Sequence, residues 1–373
     1  KRNYIITSES IGKMHPDKIC DIIADSFLDE ALRQDKNAQM AVECSIKDDV
    51  LFVFGEATTA ANLDYEQIAK GVLKEVGFEN EFKIIKQVSA QSPDINQAVV
   101  KTNELCAGDQ GLMYGFATNE TPEYMPLPIT IAHKLMKIYG DYIKTDNRFK
   151  GDAKSQVSII YNQCNKPVGI DTVLVSASHI ENITLEEIRK IIKLKIIDSV
   201  LEEYQYLDLS NTKYIINPSG KFTIYSSFSD GGTVGRKIIC DTYGGVGRHG
   251  GGAFSSKNPT KVDRSGAYYA RYVAKNIVAN NLADKCEIQV AYGIGIAKPI
   301  SLYIDCFGTE KIDLDKIYEI VESNFDFSVG NIIKEVDLLR PIYKQTACYG
   351  HFGRKGFPWE NVKELDYEKQ AQF

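Results

Sequence analysis

Apolar side chains recur along this chain at two periods, and the periods alternate in a repeating order. After Pro16, the residues Ile19, Ile22, Ile23 and Phe27 fall at helical spacing, which predicts a helix with one buried face. From Met40 the period drops to two. Met40, Val42 and Cys44, then Leu51, Val53 and the Gly55-Glu56 end, predict a hairpin. A second helix is predicted over Tyr65–Val76. The order returns with a helix near Leu127, strands over 155–161 and 171–178 around the turn Asn165-Lys166-Pro167, and a closing helix over 185–201. It returns again with a helix from Val262, strands CEIQVAYGI and ISLYIDCF, and a helix starting near Asp313. Three such units predict an α+β fold of three similar sheets, each with helices on one face. Chance likeness is the alternative, because helix–hairpin–helix is a common order. Segments 81–121 and 210–260 stand outside the repeat and are dense in Gly, Pro, Ser and charge. Function tends to sit on such connections.

Composition narrows the class. The 373 residues are 43% hydrophobic and 25% charged, which fits an ordinary globular protein of two or three domains. No apolar run approaches the roughly 18 residues of a membrane span. The first residues, Lys1-Arg2-Asn3-Tyr4-Ile5-Ile6-Thr7, lack a secretory signal and an initiator Met, so a processed or trimmed cytoplasmic chain is expected. Eight scattered cysteines without a C-x-x-C pair predict free thiols rather than a zinc site. A net charge of −6 argues against a general nucleic-acid binder, so any polyanion must be held by a local clamp.

Four constellations carry candidate chemistry. His15-Pro16-Asp17-Lys18 places Pro at a first helical position and Asp in the first turn; the plain reading is a helix cap and the sharper one a metal ligand beside a phosphate-facing histidine. Lys261-Val262-Asp263-Arg264 repeats the arrangement in the third unit. Two such carboxylates suit two Mg²⁺ ions on one polyphosphate. The glycine-dense stretch from Gly244 to Lys257 allows close backbone approach to an anion, although Ser256-Lys257-Asn258 rules out a Walker A loop. Arg236, Lys237, Arg248, Lys257, Lys261 and Arg264 cluster around it, with Asp152-Ala153-Lys154 adding a cation. A solvated charged face and a phosphate clamp are both open readings. Gln91-Ser92-Pro93-Asp94 through Gly108-Asp109-Gln110-Gly111 reads as a lid or a plain surface loop.

Taken together, these residues resemble the signatures of the S-adenosylmethionine synthetases. The matching stretches include His15 to Lys18, Gln91 to Ile95, Ala107 to Gly111, Asp152 to Lys154, Gly235 to Lys237, Asp241 to Gly245, Gly250 to Ser255, Lys261 to Ser265 and Tyr349 to Arg354. They run in family order over nearly the whole chain. The resemblance implies three α+β domains about a pseudo-threefold axis, expected at 1–98, 105–222 and 224–365 with edges that interleave. It implies synthesis of S-adenosylmethionine from ATP and L-methionine, Mg²⁺ (two per site) and K⁺ as cofactors, and a homotetramer built as a dimer of dimers with active sites between paired subunits. By motif position, Asp17 and Asp263 would bind Mg²⁺ and Glu43 would sit by K⁺. His15, Lys154, Arg236, Lys237 and Lys257 would hold the triphosphate. Phe222 would face the adenine, with Lys221 and Ala253 nearby and Asp152 and Asp230 also on ATP. Glu56, Gln91, Asp230 and Lys261 would orient methionine, supported by Asp109.

This sequence departs from the family pattern at Met14, Cys106, Lys221, Ser256 and Asn258, each next to a functional position. The stretch before Gln91 is also short. Residues 92–107 are expected to gate the site, with Cys106 stiffening the hinge because a Cβ penalises left-handed backbone. Two other classes are a polyphosphate hydrolase and a catalytically silent nucleotide-binding homologue. Glu56, Gln91 and Asp230 speak against the first, since a hydrolase needs no ammonium-binding set. Intact His15, Asp17 and Lys257 speak against the second.

Overall fold

The computed structural model describes residues 2–101 and 103–368. Lys1, at the start of the first expected domain, and Thr102, inside the expected gate, lie outside the described residues.

Each unit begins with the helix that the apolar spacing predicts. Pro16–Gln34, Leu127–Tyr142 and Val262–Ala279 are helices, and each lies on its own sheet. The first hairpin spans Gln39–Lys47 and Val50–Thr58, the second Phe149–Tyr161 and Pro167–His179, the third Lys285–Tyr292 and Ser301–Asp305. Burial along Gln39–Lys47 alternates residue by residue, as a half-covered sheet requires. Closing helices start where their caps dictate. Asp64 accepts from Gln67 N and Asp313 from Asp315 N, while Thr184 and Glu187 form a capping box.

The two segments set outside the repeat correct that reading, because they supply strands to all three sheets. Lys83–Ser89 runs parallel to Val50–Thr58, and Lys213–Ile216 runs parallel to Pro167–His179. Each is reached through the preceding helix, the usual route to a parallel neighbour. Lys83–Ser89 is mostly exposed and Lys213–Ile216 is only four residues long, so neither shows a clear period of two.

Three further strands are exchanged in a cycle. Tyr4–Ile11 from the amino end pairs with Phe149–Tyr161 of the second sheet. Gly111–Thr118 pairs with Lys285–Tyr292 of the third. Gly232–Thr233 pairs with Gln39–Lys47 of the first. The first and third units share one apolar core, and the second has its own.

Helix Val262–Ala279 approaches its sheet closely at Gly115. A Cβ there would lie 2.1 Å from the backbone carbon of Ala270, so only glycine fits without displacement. Gly115→Ala is therefore expected to destabilise the fold by about 1–3 kcal/mol through overpacking. A urea midpoint unchanged from the parent protein would show that the helix yields freely.

Candidate active site

The site is built from the starts of two helices and the loops that meet them. His15 caps helix Pro16–Gln34, its Nδ1 accepting from Asp17 N at 3.1 Å. Asp17 is buried. Its Oδ1 accepts from Thr233 N at 3.0 Å and its Oδ2 from Lys237 Nζ at 2.8 Å, with Arg236 Nη1 3.6 Å away. Burial alone would raise the Asp17 carboxyl, but Lys237 and the Thr233 N–H outweigh it and hold the group below its usual range. Burial, then Lys237 and Lys154, pull His15 down to about 3 against the opposing pull of Asp17. The imidazole is thus neutral at physiological pH. With Nδ1 accepting, its proton sits on Nε2, ready to donate.

Asp152 belongs to the same neighbourhood. Its Oδ2 accepts from Ser226 N at 2.7 Å, while Oδ1 is buried with no hydrogen-bond partner among the described residues. Burial raises this carboxyl to about 6, partly offset by the Ser226 N–H and Lys154. An unsatisfied buried acceptor is costly, and a donor on a bound molecule would satisfy it.

A second group forms at the other helix. Lys257 Nζ stands 2.7 Å from Asp263 Oδ2. Two glycines leave room for that aspartate: a Cβ at Gly252 would lie 2.3 Å from Asp263 Cγ, and one at Gly111 would lie 3.2 Å from its Oδ1. Burial lowers Lys261, against the pull of Asp109, Glu56 and Asp263. Burial raises Glu43, with Lys257 opposing and Glu56 adding to the rise. Gln91 follows the same sheet: its N donates to Thr58 Oγ1 at 3.0 Å and its Oε1 is buried without a partner among the described residues.

Three family models match the chain in order: the S-adenosylmethionine synthetase N-terminal domain over residues 3–101, the central domain over 104–222 and the C-terminal domain over 224–361. The chain belongs to the S-adenosylmethionine synthetase family. Among its relatives, the S-adenosylmethionine synthase of Mycoplasma capricolum subsp. capricolum is 49% identical over 382 residues, spanning 98% of this chain and 97% of the relative. That of Mycoplasma mycoides subsp. mycoides SC is 48% identical with the same coverage.

Within this family member, the expected residues form two linked sets around the two helix starts. His15, Asp17, Asp152, Lys154, Asp230, Arg236 and Lys237 are linked by contacts or mutual fields. Glu43, Glu56, Asp109, Lys257, Lys261 and Asp263 are linked likewise. Ala253 sits against Gly235, where an added Cβ would come within 2.7 Å of it. Phe222 is held by backbone and ring bonds to His179, and Lys221 pairs with Glu181 in solvent at 3.0 Å.

Some basic residues of the sequence cluster have structural partners instead. Arg264 is buried on Asp25 and is not a free clamp cation, and the exposed Arg248 reaches Glu287 at 3.4 Å. The glycine stretch is packed at some positions and open at others: a Cβ at Gly250 would lie 1.8 Å from Leu112 O, whereas one at Gly251 would meet nothing within 4 Å. Cys106 is buried, donates from N to Val99 O at 2.8 Å and is absent from the left-handed region, which Asn103 occupies at φ 73°.

The remaining departures are integrated into the fold. Ser226 Oγ donates to Met14 O at 2.6 Å, and Asn258 Oδ1 accepts from Met40 N at 3.0 Å. Sequence reasoning gave no role to Lys18, Asp21, Asp25 and Asp241, whose buried ion pairs underlie both groups. The aspartates at 17, 21, 25 and 29 recur every fourth residue, a helical stripe that was the available signal.

Proposed function

We propose that this chain joins ATP and L-methionine to make S-adenosylmethionine. The methionine sulfur lone pair forms a bond to the ribose 5′ carbon, the bond from that carbon to oxygen breaks, and its electrons leave with the triphosphate. Water then splits the bound triphosphate into pyrophosphate and phosphate. Sulfur has no proton to lose, so the first step needs no general base; the demand is for charge stabilisation on the leaving group. The observation that carries the reading is the Asp17 group, where Lys237, Arg236 and a neutral His15 stand together in a chain of this family.

The residues divide the work. Lys237, Arg236, Lys154 and Lys257 hold the triphosphate, and His15 donates from Nε2 to it. The unpartnered Asp152 Oδ1 and Gln91 Oε1 suit donors on the nucleoside and on the methionine ammonium. Phe222, Lys221 and Ala253 frame the nucleoside. Glu56, Asp109, Asp230 and Lys261 complete the amino-acid pocket.

The family is metal-dependent, and the donor set fits Mg²⁺. Asp17 and Asp263 are single hard carboxylates, and no cluster of three metal-ligating side chains exists among the described residues. Asp17 and Asp263 would each hold an ion by one carboxylate, which suits Mg²⁺, a cation that prefers few protein carboxylates. When bound, two Mg²⁺ ions supply neutralisation of triphosphate charge. Glu43, with Glu56 close by, is the place for K⁺.

The active site would be completed by a second copy of the chain. Phe52, Phe54 and Ile85 on the outer face of the first sheet are exposed, which suits a homodimer, with the tetramer as a dimer of such dimers. No described helix is long and apolar enough to cross a membrane. The thiols and the substrates suit the cytoplasm.

Residues 92–107 would close over this site. Helix Pro93–Val99 leads into short strands Val100–Lys101 and Glu104–Leu105. Ala107 N donates to Ile296 O at 3.0 Å and Lys101 Nζ to Gly295 O at 3.0 Å, so the segment is tethered at one end. Closure excludes water from the phosphate contacts. Replacing 98–105 with a Gly-Ser linker is expected to depress turnover far more than ATP binding; a linker variant with normal turnover defeats the idea.

The test of the overall reading is incubation with ATP, methionine, Mg²⁺ and K⁺. Methionine-dependent release of pyrophosphate and phosphate is expected, together with a sulfonium product by mass. Equal phosphate release with and without methionine, and no sulfonium, would point to a hydrolase.

A further inference from the structure

The first helix does more than present Asp17. Its aspartates at 17, 21, 25 and 29 are all buried, and each accepts a backbone N–H from a loop distant in sequence. Asp17 takes Thr233 N and Asp21 takes Gly235 N at 3.1 Å. Asp25 takes Ser256 N at 3.1 Å, and Asp29 takes Tyr343 N and Lys344 N. The helix is therefore a rail on which the loops of the site are hung.

Asp25 is the most heavily engaged. Its two oxygens receive Arg264 Nη1 at 2.7 Å and Nη2 at 2.9 Å, and Oδ2 also accepts from Ser255 Oγ at 2.9 Å. Arg264 in turn donates from Nη1 to Lys257 O at 3.3 Å and from Nε to Tyr268 Oη at 3.0 Å. One buried carboxylate thus grips both ends of the segment that carries Lys257 and Asp263. It grips Ser255 and Ser256 just before Lys257, and Arg264 just after Asp263. Ser256 holds a left-handed backbone at φ 81°, a conformation that a non-glycine residue keeps only where its surroundings enforce it. The Asp25 bond to Ser256 N is such an enforcement, and Asn258, fixed to Met40 N, is another.

We propose that Asp25, acting through Arg264 and the Ser255-Ser256 turn, is a positioning residue that sets where Lys257 and Asp263 stand toward the triphosphate. This rests on the function proposed above. A bidentate guanidinium–carboxylate pair has fixed planar geometry, so it aligns two chain segments in a way that apolar packing does not. Small displacements of a charge from a developing anion carry large rate penalties.

The experiment pairs Asp25→Asn with Lys257→Ala in a double-mutant cycle on the full-length protein. The readouts are turnover, the KM for methionine, binding of inorganic tripolyphosphate, and the thermal midpoint. Asp25→Asn is expected to lower turnover at least tenfold and to weaken tripolyphosphate binding, with the methionine KM within about twofold. Lys257→Ala should then cost much less in the Asp25→Asn background than in the parent.

Multiplicative losses in the cycle, or an Asp25→Asn variant that loses stability alone, overturn the proposal. Should Asp25→Asn fail to fold, Ser255→Ala decides it. That variant removes one contact and keeps the ion pair. It should weaken tripolyphosphate binding and turnover severalfold at near-parental stability, and parental kinetics overturn the idea. A parent protein that makes no sulfonium product would instead defeat the underlying function.

Discussion

Lys257→Ala is expected to lower turnover by about 10²–10³, the size of losing one preorganised electrostatic group at a site of developing charge. Lys257 is partly buried beside Asp263 and lies on the first sheet's edge through a bridge to Ala41. Its ammonium is thus held at the helix start rather than sweeping through solvent. The ion pair itself adds little to the fold, about 0–1 kcal/mol, so the thermal midpoint should barely move while turnover collapses. Steady-state turnover at saturating ATP and methionine, with a single-turnover measurement of sulfonium formation, checks both halves. Near-normal turnover would mean that Ser256 and Asn258 steer the ammonium off the phosphates.

Asp17→Asn and Asp263→Asn should each abolish the ordinary Mg²⁺ response and lower activity by about 10³, or about 4 kcal/mol, the scale of a metal's stabilisation of transition-state charge. The substitution is conservative where it needs to be. Asn at 17 keeps an acceptor for Thr233 N, so the loop stays attached, but Lys237 and Arg236 lose their counter-charge. The helix-dipole contribution lost is only about 0.3–1 kcal/mol. A Mg²⁺ titration of rate separates the two effects. Activity retained at ordinary Mg²⁺, with only a lower thermal midpoint, would remove both aspartates from the metal assignment.

The helices and hairpins were legible because their apolar periods are clean. Ile19 to Phe27 and Met40 to Val53 announce a helix and a hairpin without help from anything distant. The exchanged strands were not, because Gly232–Thr233 is two residues long and its identity as a strand depends wholly on Gln39–Lys47 across the fold. The site was legible as motifs but not as geometry. His15 and Asp17 adjoin in sequence, whereas their link to Lys237 is made by folding. The same limit hid the role of Arg264, which reads as one more cation until Asp25, far away in the chain, is seen beneath it.

The cyclic exchange of strands has a consequence for how the polypeptide is made. The second sheet takes its edge strand, Tyr4–Ile11, from chain already synthesised when Phe149–Tyr161 emerges from the ribosome. The third likewise receives Gly111–Thr118 ready-made. The first sheet alone must wait: its Gln39–Lys47 edge stays open until Gly232–Thr233 appears, long after the rest of that sheet is complete. An unpaired edge is a template for wrong partners. Nascent chains stalled before residue 232 should therefore need chaperone cover that chains stalled just beyond the exchange do not. Fragments cut at the family-domain boundaries would each lose a strand to a neighbour.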